Sequence, residues 1–151
     1  MDSGKNPLTS VADWCDGVGH HGRDVLYAAL VVEEAGELAA CVSSDDFHVS
    51  SAAENAEQFS DELSRLLRKR SGSLAPKVDA LDAALDTAWV ALCLAYQLVG
   101  NDRDRLAAAW AELHRSNVTD KQVGGVFVKD ETGKVKKPAG WTPPDFERFL
   151  P

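Results

Sequence analysis

Glu34 and Glu37 stand one helical turn apart in the stretch DVLYAALVVEEAGELAACV, where steps of three and four residues align Tyr27, Leu30, Glu34, Glu37 and Cys41. Two acids in an otherwise apolar stripe are an expensive arrangement. A buried carboxylate survives by protonating, by pairing or by holding a metal. A later stretch repeats the composition, aligning Asp79, Asp82, Asp86, Trp89, Cys93 and Tyr96. Helices that face one another in a bundle supply inward carboxylates to metal ions in this way. Oxygen donors without a histidine at E-x-x-H spacing select Mg²⁺ or Mn²⁺ over iron or zinc. Mg²⁺ shares its shell between a few carboxylates, waters and phosphates, so the implied substrate is a phosphate ester or anhydride. The competing reading is structural: acidic pairs at these spacings also decorate solvated helix faces. Asp79, near a helix start, suits the helix dipole, and Glu33 falls off the stripe and reads as solvated.

The elements that must position these acids are helical. Thr9 or Ser10 can cap a short first helix containing Val11 and Trp14, which the glycines of DGVGHHG break. His20 and His21, adjacent on that loop, diverge in direction and read as loop histidines rather than metal ligands. The acidic helix runs from about Arg23 to Val42. Ser51-x-x-Glu54 has the form of a capping box ahead of a helix with Phe59, Leu63, Leu66 and Leu67 on one side, closed by the solvated charges Arg68, Lys69 and Arg70. After SGSLAP a long helix spans Val78 to Val99, with Leu81, Leu85, Ala88, Leu92 and Ala95 as its expected core face. Gly100-Asn101-Asp102 starts another helix, ending near His114, with Leu106, Trp110 and Leu113 inward. VFVKDETGKVKK suits a small hairpin across DETG, and Thr142 before two prolines suits a helical turn anchored by Phe146, Phe149 and Leu150.

At 151 residues, 44% of them hydrophobic and 26% charged, the chain has the length and composition of one globular all-α domain, residues 1–151, with a four-helix-bundle core and a small C-terminal hairpin or extended tail. The net charge of -8 argues against polymeric nucleic acid as a partner. Charge is uneven, however. From His114 to Lys137 there are six basic residues (Arg115, Lys121, Lys129, Lys134, Lys136, Lys137) against three acidic ones (Asp120, Asp130, Glu131), which suits a small anionic ligand. Cys15, Cys41 and Cys93 are odd in number and widely spaced, and read as reduced core residues of an intracellular protein. The N-terminal stretch lacks a signal-peptide core, and the longest apolar run, Ala88 to Val99, is too short to span a membrane.

VEEAGELAA, DAALDTAWVAL, HRSNVTDK, GKVKKPAGW and PPDFERFL, in that order, resemble the MazG-like all-α nucleoside triphosphate pyrophosphohydrolases, especially short phage-type members related to phosphoribosyl-ATP pyrophosphohydrolase. The resemblance runs from about Asp24 onward and leaves out Ser43 to Lys77. It implies a four-helix core assembled as a homodimer or homotetramer, with active sites near subunit interfaces. It also implies a cytoplasmic protein of a bacterial cell or phage-infected host. The activity implied is Mg²⁺-dependent cleavage between the α and β phosphates, releasing a nucleoside monophosphate and pyrophosphate. Glu34 and Glu37 match the family's E-x-x-E half, and Asp86 matches the final acid of its E-x-x-D half. The position three before Asp86 is Ala83, and Asp82 stands one residue earlier, as in the D-A-L-G-D variant of phage-type members.

On this resemblance Glu34, Glu37, Asp82 and Asp86 hold the metal, and Glu37 or Glu34 accepts the proton of the attacking water. Arg115, Lys121, Lys134 and Lys136 meet phosphate oxygens, and Ser116 and Asn117, in the family's HRSN motif, contact the nucleotide. The likeness is closest to the MazZ type, which favours guanine nucleotides, so the expected substrate is (d)GTP. Trp14, Trp89 and Trp141 are candidates to stack on the base, with core packing as the competing role. Two other functions remain open: a hydrolase that releases single phosphates, and a non-enzymatic acidic bundle that binds other proteins.

Overall fold

The computed structural model describes residues 6–19, 22–69, 74–130 and 135–151. His20, His21, Arg70 and Lys134 lie outside the described residues. In order, the elements are α1 (Pro7–Val18), α2 (Asp24–Ala40), α3 (Phe47–Arg68), α4 (Lys77–Leu98) and α5 (Arg103–His114), followed by a π-helical turn (Arg115–Thr119). Two short strands, β1 (Gln122–Val123) and β2 (Val126–Phe127), and a 3₁₀ turn (Glu147–Phe149) complete the chain. The protein is mostly helical, as composition requires. None of the helices among the described residues is long and apolar enough to cross a membrane. The chain forms two compact units, Gly22–Leu81 and Met1–His21 with Asp82–Pro151.

In the first unit, α2 and α3 form a helical hairpin whose seam is made of small residues. Ala29 and Gly36 on α2 are buried, as are Ser60 and Ser64 on α3. A Cβ added at Gly36 would lie 1.6 Å from the Ser60 Oγ and 2.7 Å from its Cβ, so the close approach depends on a missing side chain. Ser60 turns its hydroxyl back to the Glu57 carbonyl at 2.8 Å. Beside the seam, Arg68 pairs with Glu33, while the Ser64 hydroxyl accepts from Arg68 Nε at 3.2 Å and donates to Glu33 at 3.4 Å. Glu33 and Arg68, expected in solvent, are therefore half-buried partners. At the hairpin's open end the Asp24 carboxylate accepts from the Leu74 amide at 2.8 Å.

Helix starts differ from expectation for reasons of local chemistry. α1 begins at Asn6-Pro7, because the Asn6 side chain accepts from the Leu8 amide at 2.9 Å and proline suits the first helical position. Thr9 is thus inside the helix, its hydroxyl bonded to the Asn6 carbonyl. Gly19, at φ 61°, ends α1 in the left-handed region. α3 begins four residues ahead of the expected cap, because the Asp46 carboxylate accepts from the His48 amide at 2.8 Å and leaves Ser51 in the interior of the helix.

α4 occupies nearly the expected span, but none of its residues is buried. Leu81, Leu85 and Leu92, expected in the core, are 61%, 59% and 40% exposed. Cys41 and Cys93 are likewise exposed and Cys15 is half-buried, so none of the three free thiols is a core residue.

In the second unit, Asp102 caps α5 by accepting from the amides of Asp104 and Arg105 at 2.9 and 3.0 Å. The antiparallel β1–β2 pair closes at Gly124-Gly125, whose φ of 61° and 81° suit a two-residue hairpin turn. An isolated antiparallel bridge joins Lys129 to Val135; residues 131–134 of the expected DETG turn lie outside the described residues. Val18 and Val99 are buried here, Trp14 meets Phe127 edge-on at 4.9 Å, and the Lys129 ammonium donates to the Val18 carbonyl. The C-terminal turn forms one step later than expected. Phe149 is half-buried in it, whereas Phe146 and Leu150 are exposed.

Candidate functional site

The residues that gather most closely belong to the HRSN segment, and α5 explains their placement. Its last turn carries Glu112, which is 7% exposed, and the helix widens into the π-helical turn at Arg115. Such widenings interrupt a helix at a local rather than a general need, and are frequent at functional sites. The turn rotates Ser116 fully inward, where its hydroxyl donates to the Thr142 carbonyl at 3.1 Å. The Ser116 carbonyl accepts from Trp141 Nε1 at 2.9 Å. These two bonds tie the tail to the turn.

Glu112 anchors the same tail through charge. It accepts from Arg115 Nη2 and Nε at 2.6 and 3.0 Å, from the Asp145 amide at 3.0 Å and from Arg148 Nη2 at 3.0 Å. The Arg115 guanidinium, and then the Asp145 amide, pull the Glu112 carboxyl down to about 2. Glu112 in turn holds Arg115 above its ordinary value. Arg115 is further engaged by the Asp120 carboxylate, the Thr142 hydroxyl at 3.2 Å and the Pro143 carbonyl at 3.4 Å. In this structure Arg115 is a fastening group, although it remains partly exposed.

Asn117 and Lys121 sit on the next part of the turn. Lys121 Nζ donates to the Asn117 Oδ1 at 2.8 Å and lies 5.8 Å from the Trp14 ring centroid and 6.0 Å from that of Trp141. Lys137 Nζ covers Trp141 at 4.1 Å. Two ammonium groups, two indoles and an amide therefore share one locality, a combination suited to an anionic ligand with a flat aromatic part. Lys136 is exposed, with its amide bonded to the Val128 carbonyl at 2.8 Å. His114 Nε2 and Trp110 Nε1 are buried without a hydrogen-bond partner among the described residues.

Glu34 and Glu37 are exposed on α2, and Asp82 and Asp86 are exposed on α4. Gly36 and Ala29 make the buried face of α2, which leaves Glu34 and Glu37 off the hairpin seam. Each pair supplies two hard oxygen donors one turn apart, in keeping with an ion that takes its remaining ligands from water and phosphate. Among the described residues no group of three or more His, Cys, Asp or Glu side chains is gathered to hold a metal ion.

Glu112, Lys137 and Gly36 were not singled out from the sequence. Lys137 had a readable signal, standing four residues before Trp141 in a basic run. Glu112 had none, since its partners Arg148 and the Asp145 amide are more than thirty residues away. No family model, curated protein or solved structure matches the chain.

Proposed function

We infer that the protein is a metal-dependent nucleoside triphosphate pyrophosphohydrolase of the MazG-like all-α class, cleaving between the α and β phosphates to release a (deoxy)nucleoside monophosphate and pyrophosphate. The observation that carries this reading is the clustering of Asn117 and Lys121 with Trp14, Trp141 and Lys137, which joins phosphate-seeking ammonium groups to surfaces for a base. A four-helix core, a homodimeric or homotetrameric assembly and a preference for (d)GTP belong to the same proposal.

In this reading Glu34, Glu37, Asp82 and Asp86 hold Mg²⁺ or Mn²⁺. The metal, when bound, offsets phosphate charge and lowers the pKa of its water. Glu37 or Glu34 takes the proton from the attacking water. Lys121 and Lys136, with Lys134 and the exposed part of Arg115, neutralise the phosphate oxygens, and Lys137 adds to that field. Asn117 orients Lys121, and the buried Ser116 positions the turn that carries both.

A screen of ribo- and deoxyribonucleoside triphosphates with Mg²⁺, with products separated by ion exchange, tests the proposal. Monophosphate and pyrophosphate are expected, and accumulation of diphosphate would assign a single-phosphate hydrolase instead. The exposure of all four metal-site acids also suits a non-enzymatic acidic bundle protein. Saturable Mn²⁺ binding with a rise in melting temperature favours the enzyme, and its absence favours that second reading.

A further inference from the structure

We propose that α4 is the seam of a symmetric dimer, packing antiparallel against the α4 of a second copy of this chain. A helix that is apolar on every side belongs in an interior, yet α4 has no buried residue. Leu81, Leu85, Trp89, Val90, Leu92, Leu94 and Leu98 are between 37% and 73% exposed. Together the exposed apolar side chains of α4 present on the order of 800 Å², the share that each partner contributes to a standard stable interface.

The sequence of the helix selects the occupant and its direction. Leu81, Leu85, Ala88, Leu92 and Ala95 share one face, and their spacing reads nearly the same in both directions about Ala88. In an antiparallel pair Leu81 meets the partner's Ala95, Leu85 packs beside the partner's Leu92, and Ala88 meets its own copy. Large side chains thereby meet small ones at the ends, and an alanine at the crossing lets the backbones approach. Such self-complementarity is what a two-fold interface requires. Charge gives the same direction. Asp79, Asp82 and Asp86 lie in the N-terminal half of α4, and the segment from Ala88 to Leu98 carries no charge. A parallel pair would set six aspartates side by side, whereas an antiparallel pair separates the two sets. The three acids also fall away from the Leu81–Ala95 face, so pairing leaves them open to solvent or a metal. The inference stands apart from the proposed activity and is tested without nucleotide or metal.

The full chain, of 16.3 kDa, is expected to sediment at about twice that mass at micromolar concentration; a monomer overturns the proposal. L85E/L92E should sediment as a monomer with its helical circular dichroism retained, and a persistent dimer overturns it. As a check independent of destabilisation, Cys15, Cys41 and Cys93 are replaced by Ser, and either Ala88→Cys or Ala83→Cys is added. Mild oxidation should link most of the Ala88→Cys chains into a covalent dimer and leave the Ala83→Cys chains, whose site faces away, largely unlinked. No cross-link at position 88, or equal cross-linking at both positions, overturns the antiparallel seam.

Discussion

Both oxygens of the Glu112 carboxylate are engaged by the Arg115 guanidinium, at 2.6 Å from Nη2 and 3.0 Å from Nε, three residues along the chain and at the point where α5 widens into a π-helical turn. A fork-to-fork pair of this kind fixes orientation as well as charge. Through the Asp145 amide and Arg148, the same carboxylate holds the C-terminal tail against α5. The pair is therefore the hinge point between helix, turn and tail.

That engagement makes stability depend on acid. The Glu112 carboxyl is held at about 2, against an ordinary value of 4.5. Between those values the unfolded chain binds a proton that the folded chain refuses, so the stabilisation is fully present above about 4.5 and is lost as pH falls through about 2. Glu112→Gln lacks this contribution. Thermal melts from pH 7 to pH 2 should show the variant melting lower at neutral pH, with the gap to the wild type closing across that window. A constant gap would mean that the carboxylate charge is not what secures the tail.

The α2–α3 seam should tolerate no added methyl. Gly36→Ala places a carbon against the Ser60 side chain and should lower unfolding stability by about 1–3 kcal/mol, as overpacking does. Adding Ser60→Ala removes the contact at 1.6 Å but leaves the one at 2.7 Å, so rescue should be partial. Urea unfolding of the two variants measures both effects, and a neutral Gly36→Ala would show that the helices separate freely.

Ser116 offers a test of the inward turn. Ser116→Ala removes the hydroxyl from a fully buried site and leaves the Thr142 carbonyl without that donor, a loss of about 1–3 kcal/mol. Trp141→Phe removes the reciprocal bond from the indole nitrogen. Both bonds serve the same docking, so the double variant should lose less than the sum of the single losses. Strict additivity in chemical denaturation would separate the two contacts.

Glu37 separates chemistry from folding. It is exposed and off the hairpin seam, so Glu37→Ala should leave helicity and melting temperature nearly unchanged, within about 2 °C, as for an ordinary surface substitution. In the proposed role its loss should lower turnover at least roughly 100-fold, the scale of general-base catalysis. Triphosphate cleavage assayed beside circular dichroism gives both values, and retained turnover would remove Glu37 from the mechanism.

The helical class and the approximate spans of α2, α4 and α5 were legible because apolar spacing and end signals are local. The start of α3 was misread because Ser51-x-x-Glu54 and Asp46 both offer capping chemistry, and spacing alone does not rank them. Packing partners were less legible. Gly36 reads as a weak helix residue until Ser60 is seen against it, and Arg68 reads as a solvated end charge until Glu33 is placed beside it. Leu81, Leu85 and Leu92 carry the periodicity of a core face, but periodicity reports that a face is apolar, not what covers it. Among the candidate ligand residues, Asn117 and Lys121 stood out because they are close in sequence to one another. Their meeting with Trp14 joins positions about a hundred residues apart and has no local signal.

Lys121 is the residue on which the ligand side of the proposal turns. Its ammonium is oriented by Asn117 and lies near the faces of two tryptophans, so an arriving phosphate would meet a charge already positioned, at little further entropic cost. Lys121→Met retains the stem and removes the charge. If the ammonium meets phosphate, kcat/KM for the triphosphate should fall roughly 10- to 100-fold, about 1.4–2.7 kcal/mol of transition-state stabilisation. Lys121→Arg should recover only part of this, because a planar guanidinium does not reproduce a compact ammonium between two rings. A loss confined to KM would assign Lys121 to ground-state binding, and a matching loss in kcat would assign it to charge that grows during cleavage. Unchanged kinetics in Lys121→Met would move the phosphate site away from this turn.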